Sequence, residues 1–320
     1  MSKNKKIAFF GTSDRSISIL EALKSNFDLV LCVTKKDTRV GRHQELKETE
    51  VKKWAKKNQV MVVSISNLKG IELEAIIEQL KASKVEYGIV ADFSFLIPYQ
   101  LIEFFNGKLI NIHFSLLPLY RGASPVQFAI LNGDETTGIT YQLIDKKMDG
   151  GKIVHQIGYK LANNETSGHL YSVLFELASE NLADVINRFH DGQLKPRIQE
   201  ENLATYTYSP SHAQSTFIYK EDARINWKDD AKKIEQMIRA FNSWPIAWTT
   251  IKELENNKKL RFSKIKLRAG VDQKLKLKIF KTDLTESGKL DVKEVQLEGK
   301  NKVDWKTFEN GYVVSEIAKQ

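Results

Sequence analysis

The chain has 320 residues and fits two domains better than one, because single hydrophobic cores stop growing beyond about 250–300 residues. Its hydrophobic content of 42% and charged content of 28% are typical of a globular protein, and no apolar run approaches the ~20 residues of a membrane helix. The formal net charge of +9 favours an anionic partner, but many lysine-rich proteins bind nothing anionic, so charge alone assigns no function.

The first half of the sequence alternates short apolar runs with helical patterns. The runs rich in Val and Ile are predicted strands, at residues 6–10, 27–34, 60–65, 87–93 and 108–114. Helices are predicted between them at residues 11–23, 45–58 and 72–83. Buried strands that alternate with helices indicate an α/β fold: a doubly wound, Rossmann-like and mostly parallel sheet covered on both faces.

A hairpin is predicted next, at residues 139–161 with its turn at 149–152, and then a long helix at residues 167–189. The composition changes after this helix, because residues 190–222 carry two prolines and many polar side chains. We therefore predict a surface linker at residues 193–215, between a catalytic domain of residues 1–192 and a C-terminal domain of residues 216–320. The latter has a helical pattern at 230–242 and short alternating segments at 259–267 and 275–280, which favour a small, OB-like β-barrel.

Cysteine usage and the N-terminus bear on compartment and cofactor. The single cysteine, Cys32, excludes an intramolecular disulfide, and its place in a predicted strand indicates a buried thiol. With few histidines beside it, the sequence predicts no metal site. The basic N-terminus leads directly into a strand, so we expect no signal peptide and a cytoplasmic protein.

The stretch INIHFSLLPLYRG, residues 110–122, carries the residues with chemistry. Strand side chains alternate between faces, so Asn111, His113 and Ser115 share one face at the end of the fifth predicted strand, where α/β sheets bind ligands. On a structural interpretation His113 is a satisfied core histidine and Asn111 caps the strand. On a catalytic interpretation Asp149, in the turn KKMDGG at the same rim, joins them. An amide donor, an imidazole and a carboxylate together suit direct acyl transfer through a tetrahedral intermediate.

The run NIHFSLLP at residues 111–118, followed by RGA and NGDETTGIT, resembles the 10-formyltetrahydrofolate-dependent formyltransferases. Other landmarks match in the family's order, namely FFGTSD, FLIP, ARINW at 223–227 and IRAFNSWPIAW at 238–248. The resemblance runs from about residue 6 to about residue 315. The last two motifs are those of the enzymes that formylate methionyl-initiator tRNA and of some sugar-nucleotide relatives.

The resemblance implies that Asn111, His113 and Asp149 are catalytic, and that 10-formyltetrahydrofolate is the co-substrate. It implies a folate site whose lining and apolar wall are Ser115, Leu116, Leu117, Pro118, Ile89, Phe93, Phe95 and Ile97. The chain departs from the family's pattern at Ser94, where Gly is usual, and at Phe114, where a small residue is usual. Strand alternation places Phe114 opposite the catalytic pair, so we expect it to pack.

Two basic regions are relevant to whether the formyl acceptor is a tRNA. Residues 35–57 hold nine Lys or Arg against four Asp or Glu, and the family uses a basic loop here to reach the acceptor stem. The resemblance therefore implies tRNA contacts by Lys35, Lys36, Arg39 and above all Arg42, whereas for residues 52–57 a solvated helix face is favoured. Residues 252–302 hold fifteen basic and eight acidic residues, and a basic β-barrel is a common nucleic-acid platform.

Aromatic residues offer a further, weaker indication of nucleic-acid binding. Trp227, Trp244 and Trp248 are able to stack on bases, but packing is the favoured interpretation because they belong to motifs at the domain junction.

The function predicted from the sequence is formyl transfer from 10-formyltetrahydrofolate to the α-amine of methionyl-initiator tRNA, by a monomer without membrane association. The alternatives are a sugar-nucleotide N-formyltransferase and a tRNA-binding protein with a degenerate catalytic domain. The basic C-terminal region argues against the first, and the intact trio of Asn111, His113 and Asp149 argues against the second. A glycinamide ribonucleotide formyltransferase would lack the whole C-terminal third.

Overall fold

A computed structural model describes residues 5–40, 44–254, 257, 260, 266–267, 272 and 274–314. Their contacts group into two compact units. The first consists of Met1–Arg121, Thr137–Lys160 and Tyr171–Thr205, and the second of Gly122–Thr136, Leu161–Leu170 and Tyr206–Gln320. The chain thus passes between the units repeatedly, and the last segment of the first unit ends at Thr205. A functional division at residues 192 and 216 stays a prediction.

The strands and helices follow one another in α/β order through most of the chain. The strands are β1 (Lys6–Gly11), β2 (Asp28–Lys35), β3 (Thr38–Val40), β4 (Glu45–Lys47), β5 (Met61–Ile65), β6 (Tyr87–Ala91), β7 (Leu109–His113), β8 (Thr136–Leu143), β9 (Ile153–Lys160), β10 (Trp248–Thr250), β11 (Lys266–Leu267), β12 (Lys276–Leu284), β13 (Leu290–Leu297), β14 (Lys302–Asp304) and β15 (Val313–Val314). The helices are α1 (Ile17–Asn26), α2 (Glu50–Lys57), α3 (Gly70–Ala82), α4 (Tyr99–Phe105), α5 (Pro125–Asn132), α6 (Ser167–His190), α7 (Ala231–Ala240), α8 (Ile251–Leu254) and α9 (Trp305–Tyr312).

A seven-stranded sheet with the order β5-β2-β1-β6-β7-β8-β9 organises the first unit. Strands β5, β2, β1, β6 and β7 run parallel, and β8 pairs with β7 antiparallel. The order reverses between β1 and β6, and ligands of such sheets bind beyond the carboxyl ends of the strands near that reversal. The predicted doubly wound, mostly parallel α/β fold is confirmed.

Apolar residues from both the strands and the flanking helices fill the core of the first unit. Its central strands are buried nearly throughout, as all five residues of β6 are, whereas β5 and β9 are partly exposed; Val and Ile suit the buried positions. Cys32 lies fully buried in β2, which confirms the predicted buried strand thiol, and burial raises the pKa of the thiol to about 12. Phe114 packs against Phe175 and Tyr171 at ring-centroid distances of 4.2 and 6.0 Å, as expected.

The helix predicted at residues 45–58 begins later than the sequence pattern suggested. Residues Glu45–Lys47 form strand β4, which pairs antiparallel with β3. Helix α2 begins at Glu50 because the side chain of Thr49 accepts a hydrogen bond from the backbone N–H of Lys52, a favourable N-cap. The prediction was wrong for residues 45–47 because β4 is stabilised by pairing with β3, and helix propensity does not take a partner strand into account.

A four-stranded antiparallel sheet with the order β10-β12-β13-β14 organises the second unit. Its strand β12 alternates exposed and buried residues at its start, so that Leu277 and Ile279 face the core. Helix α7 packs Ile234 and Ile238 into the same core, which also holds Trp305 and Phe308 of α9. The predicted C-terminal β-domain is confirmed as an antiparallel sheet. The predicted strand at 259–267 lies mainly outside the described residues.

Within the part of the chain that the structure describes, every helix is too short or too polar to cross a membrane.

Candidate active site

Antiparallel pairing of β7 with β8 gathers four polar residues on one face of the sheet. The register places Asn111 opposite Gln142 and His113 opposite Thr140. Cβ atoms of directly opposed residues lie about 4.5–5.5 Å apart, and alternation puts residues two apart on the same face. Asn111 is half-buried, and the other three are buried.

His113 is held in a defined orientation by a backbone carbonyl. Its Nε2 lies 2.9 Å from the oxygen of Tyr120, and the residue is only 5% exposed. A carbonyl oxygen accepts hydrogen bonds and never donates them, so Nε2 carries a proton. In the neutral imidazole Nδ1 is therefore unprotonated. This nitrogen faces Asp149, whose Oδ2 is 3.7 Å away, a distance suited to a charge pair once the ring is protonated.

Asp149 completes the cluster from the β8–β9 turn. The predicted hairpin is confirmed, since the N–H of Leu143 donates to the oxygen of Lys152 across 2.9 Å. The second carboxylate oxygen of Asp149, Oδ1, accepts a 2.9 Å hydrogen bond from Nε2 of Gln142. Asp149 itself has φ of 48°, in the left-handed region that costs a non-glycine residue roughly 1–2 kcal/mol. The turn holds it there against its local preference.

Gly151 allows the turn to close. A Cβ atom at this position would lie 1.7 Å from the backbone oxygen of Leu143, closer than any real contact, so only glycine fits. The adjacent glycines of the sequence KKMDGG are therefore explained in part by sterics.

Gln142 is a site residue that the sequence reasoning missed. It is 2% exposed, its amide nitrogen binds Asp149, and within the described ranges its Oε1 has no hydrogen-bond partner. A buried acceptor without a partner costs about 1–3 kcal/mol, and a ligand N–H would satisfy it. The signal was present, because alternation in the apolar segment ITYQL puts Thr140 and Gln142 on one face.

The predicted folate-lining run at residues 115–118 forms a tightly bonded turn. Ser115 is fully buried, and its hydroxyl donates to the oxygen of Leu119 at 2.6 Å. Thr140 ties down the same turn: its hydroxyl donates to the oxygen of Ser115 and accepts from the N–H of Leu117. Leu117 is buried, whereas Leu116 and Pro118 are half-buried and accessible. Their exposure makes these two side chains the ones available to a ligand.

The predicted apolar wall divides into inward and outward residues. Ile89 is fully buried in β6, and Phe93, Phe95 and Ile97 pack against the core of the first unit. The alternating partners point outward, and Leu96 is 86% exposed. The departure at Ser94 lies on the outward side, where the Ser94 N–H donates to Thr12 Oγ1.

The predicted tRNA residues lie where β2 leads into β3. Lys35, Lys36 and Arg39 are exposed, and Lys36 forms a 2.7 Å ion pair with Glu72. Arg42 lies outside the described residues.

Lysines of the basic helix α2 form ion pairs with acidic residues. Lys52 contacts Asp37 at 2.8 Å and Glu48 at 3.2 Å, and Lys53 contacts Glu50 at 2.7 Å. Such ion pairs, in which nearby carboxylates neutralise the lysines, are typical of a solvated helix face.

Two of the three tryptophans considered for base stacking are structural. Trp227 packs against the core and donates to the hydroxyl of Thr249 at 2.8 Å, while half-buried Trp248 donates to the oxygen of Lys220 at 2.8 Å. Packing is confirmed for both. Trp244 is 52% exposed, so its ring is accessible on the surface of the unit.

The gathered residues form a compact acid–base site. A ring nitrogen able to accept a proton faces a carboxylate that can stabilise the resulting cation, and an amide lies two residues away on the same face. Such a set has the groups needed to take up and release a proton and to offer a hydrogen bond to a developing oxyanion.

Comparisons with known proteins agree with this chemistry. Residues 5–186 match the family described as formyl transferase, and residues 217–313 match formyl transferase, C-terminal domain. A methionyl-tRNA formyltransferase of Legionella pneumophila (strain Corby) is 36% identical over 249 residues, which cover 78% of this chain and 76% of that protein.

Solved structures share the fold at lower identity. Methionyl-tRNA formyltransferase from Clostridium thermocellum has a TM-score of 0.56 and 20% identity, covering 92% of this chain and 98% of that one. The N-formyltransferase from Helicobacter canadensis, solved with folinic acid and dTDP-3-aminofucose, has a TM-score of 0.56 and 21% identity, covering 97% of both chains.

Proposed function

This chain belongs to the formyl transferase family, and from that membership we propose that it transfers a formyl group from 10-formyltetrahydrofolate to the α-amine of methionyl-initiator tRNA. The observation that carries the proposal is the 36% identity to a methionyl-tRNA formyltransferase, over a stretch that covers 78% of this chain. A monomer acting in the cytoplasm at translation initiation, as the sequence predicts, is part of the proposal.

The reaction is an exchange of one acyl group and one proton. The neutral α-amine attacks the formyl carbon, and the carbonyl oxygen becomes an oxyanion in a tetrahedral intermediate. The amine then loses a proton, N10 of the folate gains one, and the bond between the formyl carbon and N10 breaks. The products are formylmethionyl-tRNA and tetrahydrofolate, so no metal or redox cofactor is needed to balance the reaction.

Each member of the site has a role in this scheme. Asn111 donates to the oxyanion, a contribution typically worth about 3 kcal/mol. His113 accepts the proton of the amine at Nδ1, since its Nε2 is occupied by Tyr120, and returns it to N10. Asp149 stabilises the imidazolium across the 3.7 Å contact, and Gln142 orients the carboxylate.

The folate and the tRNA would meet this site from accessible surfaces. Leu116 and Pro118 offer side chains to the folate, while the buried members of the predicted set shape the site through backbone and packing. Lys35, the last residue of β2, and Arg39 in β3 are exposed cations, suited to phosphate contacts at the acceptor end together with Arg42.

The test is a formylation assay with 10-formyltetrahydrofolate and three acceptors: charged initiator tRNA, the same tRNA uncharged, and a dTDP-amino sugar. We expect product only with the charged tRNA. Formylation of the amino sugar alone would replace the proposal with the sugar-nucleotide alternative. Binding of tRNA without transfer to any acceptor would favour a degenerate, tRNA-binding protein.

A further inference from the structure

The segment of residues 197–205, within the stretch predicted as a surface linker, contacts the backbone of Asp149 and, on the other side, Tyr120, the residue that holds His113. Arg197 pairs antiparallel with Ile153 of β9 through hydrogen bonds of 2.8 and 2.9 Å. Further along, Gln199 reaches the turn of Asp149, and Thr205 reaches Tyr120, which holds His113. We propose that this 197–205 segment positions His113 and Asp149 for proton transfer, with Gln199 and Thr205 as its positioning residues. The proposal rests on the proposed function.

Gln199 clamps the turn of Asp149 through two backbone carbonyls. Its Nε2 donates to the oxygen of Asp149 at 2.8 Å and to the oxygen of Gly151 at 2.7 Å, and the residue is 7% exposed. One amide nitrogen has two protons, so both are used in holding the turn. Asp149 needs such support because its φ of 48° is unfavourable for a residue with a side chain.

Gln199 is itself anchored by a buried arginine. The guanidinium of Arg121, which is 0% exposed, donates from Nε and Nη2 to Gln199 Oε1 at 3.1 and 2.9 Å. Its Nη1 donates to Glu201, which also contacts Lys147. A buried guanidinium is costly unless its donors are satisfied, so Arg121 fixes the position of the amide group of Gln199.

Thr205 performs the corresponding task for His113. Its hydroxyl accepts from the N–H of Tyr120 at 2.8 Å, and its carbonyl accepts from the N–H of Arg121 at 2.9 Å. Tyr120 has φ of 59°, again in the left-handed region, and its oxygen is the acceptor for His113 Nε2. Both members of the pair thus depend on a strained, non-glycine backbone position that the 197–205 segment holds.

These contacts indicate that the 197–205 segment positions the site, and does not merely pack against it as any polar segment could. Strained backbone persists only where the surroundings over-determine it, and two of the described non-glycine residues with positive φ, Tyr120 and Asp149, are the one that orients His113 and the candidate carboxylate itself. A misplacement of about 1 Å at a reacting group costs up to about 100-fold in rate. The segment is therefore expected to affect turnover more than substrate binding.

Gln199→Glu tests the clamp while preserving the anchor. The carboxylate still accepts from Arg121, but it has no donors and repels the carbonyls of Asp149 and Gly151. We expect kcat for formylation to fall about 10- to 100-fold with KM for 10-formyltetrahydrofolate changed less than about threefold. Glu200→Gln, an exposed neighbour with the opposite chemical change, is the matched control and should keep wild-type kcat.

A double-mutant cycle with Asp149→Asn distinguishes positioning from general loss of structure. If Gln199 acts through Asp149, Gln199→Glu lowers kcat little further in the Asp149→Asn background. Equal fold-losses in both backgrounds, or wild-type kcat in Gln199→Glu alone, would overturn the proposal. Thr205→Val, which removes only the acceptor for Tyr120, should likewise lose its effect in a His113→Ala background.

Hydrogen exchange separates this proposal from the proposed function. Amides of residues 147–153 should exchange faster in Gln199→Glu than in Glu200→Gln and wild type, whether or not the chain formylates tRNA. Unchanged exchange there would show that Gln199 does not hold the turn. A wild-type chain that fails to formylate charged tRNA, with the exchange difference present, would instead remove the proposed function and leave the clamp.

Discussion

At the scale of single residues, the orientation of His113 decides which of its nitrogens would exchange a proton with substrate in the proposed reaction. Nε2 donates to Tyr120, which leaves Nδ1, on the side of Asp149, as the reactive atom. The side chains of His113 and Asp149 are mostly shielded from water. Electrostatic interactions are stronger in such a buried environment than at the surface. The two residues therefore act as a pair, and changing either should alter kcat more than binding.

His113→Ala and Asn111→Ala should each lower kcat by roughly 100-fold or more, since one removes the proton acceptor and the other the oxyanion donor. Affinity for 5-formyltetrahydrofolate, a non-donating analogue, should stay within about threefold of wild type. Steady-state formylation and equilibrium binding measure the two quantities. If either variant turned over within threefold of wild type, the assigned role would be wrong.

Asp149→Asn should also lower kcat sharply. The new amide can still meet Gln142, but its nitrogen would donate to His113 Nδ1 and occupy the lone pair that takes the proton of the amine. The matched control is Asp145→Asn, an exposed residue earlier in the same turn. Comparable kcat for these two variants would mean that Asp149 serves the turn only.

The sequence indicated the residues that are proposed to carry the chemistry, but it did not indicate the residues that hold them in place. Asn111, His113 and Asp149 stand out by type and spacing, and the fold brings His113 and Asp149 to 3.7 Å. Gln199 could not be found, because a glutamine in a polar stretch is typical of a surface linker. Its contacts with Asp149 and Arg121 lie 50 and 78 residues away in sequence, beyond the reach of local patterns.

At the scale of elements, Glu253 joins β10 to α8 through a concentrated set of hydrogen bonds. Burial alone would raise the pKa of its carboxyl. Donation from the N–H and hydroxyl of Thr250, from Arg224 and from the hydroxyl of Thr249 outweighs burial and lowers the pKa to about 2, from an ordinary value of 4.5. The ionised form is thus favoured in the folded chain.

A depressed carboxyl pKa stabilises the folded state above the unfolded pKa and loses that effect as pH falls through the folded value. Glu253→Gln should therefore lower the free energy of unfolding by about 1–2 kcal/mol at pH 7, discounted for partial exposure. The deficit should shrink between pH 4.5 and 2. Urea titration followed by tryptophan fluorescence measures it, with exposed Glu286→Gln as control. A deficit that is constant with pH would refute the linkage.

Elements whose residues are largely buried could be predicted from the sequence. Elements that form because they pair with another segment could not. Five strands of the first unit follow from runs of Val and Ile, because strands covered on both faces need apolar residues throughout. Strand β4 was hidden inside a helical pattern, although Thr49 offered a capping signal for the true start of α2. Helix α5, beginning at Pro125, was missed because its short apolar run has no clear period.

At the scale of the whole molecule, some lysine side chains face solvent and others form ion pairs with acidic residues. On β12, Lys276 and Lys278 are exposed on the face opposite the core, and Lys276 lies 4.2 Å from the ring centre of Trp248. Lys293 on the neighbouring strand pairs instead with Asp291 at 2.7 Å and Asp283 at 3.4 Å. Among the described residues the ammonium groups of Lys276 and Lys278 form no ion pair, although the backbone N–H of Lys276 donates to Glu298, and cations in this state are the better phosphate ligands.

Replacing Lys276 and Lys278 together by Gln should flatten the log–log salt dependence of tRNA binding by about 1.4–1.8, since each lost phosphate contact contributes about 0.7–0.9. Lys293→Gln is the matched control and should change the slope by less than about 0.3. Filter binding of initiator tRNA between 50 and 200 mM salt gives the slopes. Identical slopes for the double variant and wild type would place the tRNA contacts elsewhere on the chain.

The repeated passage of the chain between its two units has a consequence for the order in which the protein is made. A ribosome releases all the strands of the large sheet before it releases residues 197–205, which complete the first unit. Helix α5 emerges early, but its buried residues Val126, Ala129 and Ile130 belong to a unit whose remaining helices and strands come last. Neither unit can therefore finish folding while the nascent chain ends before residue 205. Catalytic competence should appear late in synthesis, and chains truncated before that point should be inactive even when every residue of the active site is present.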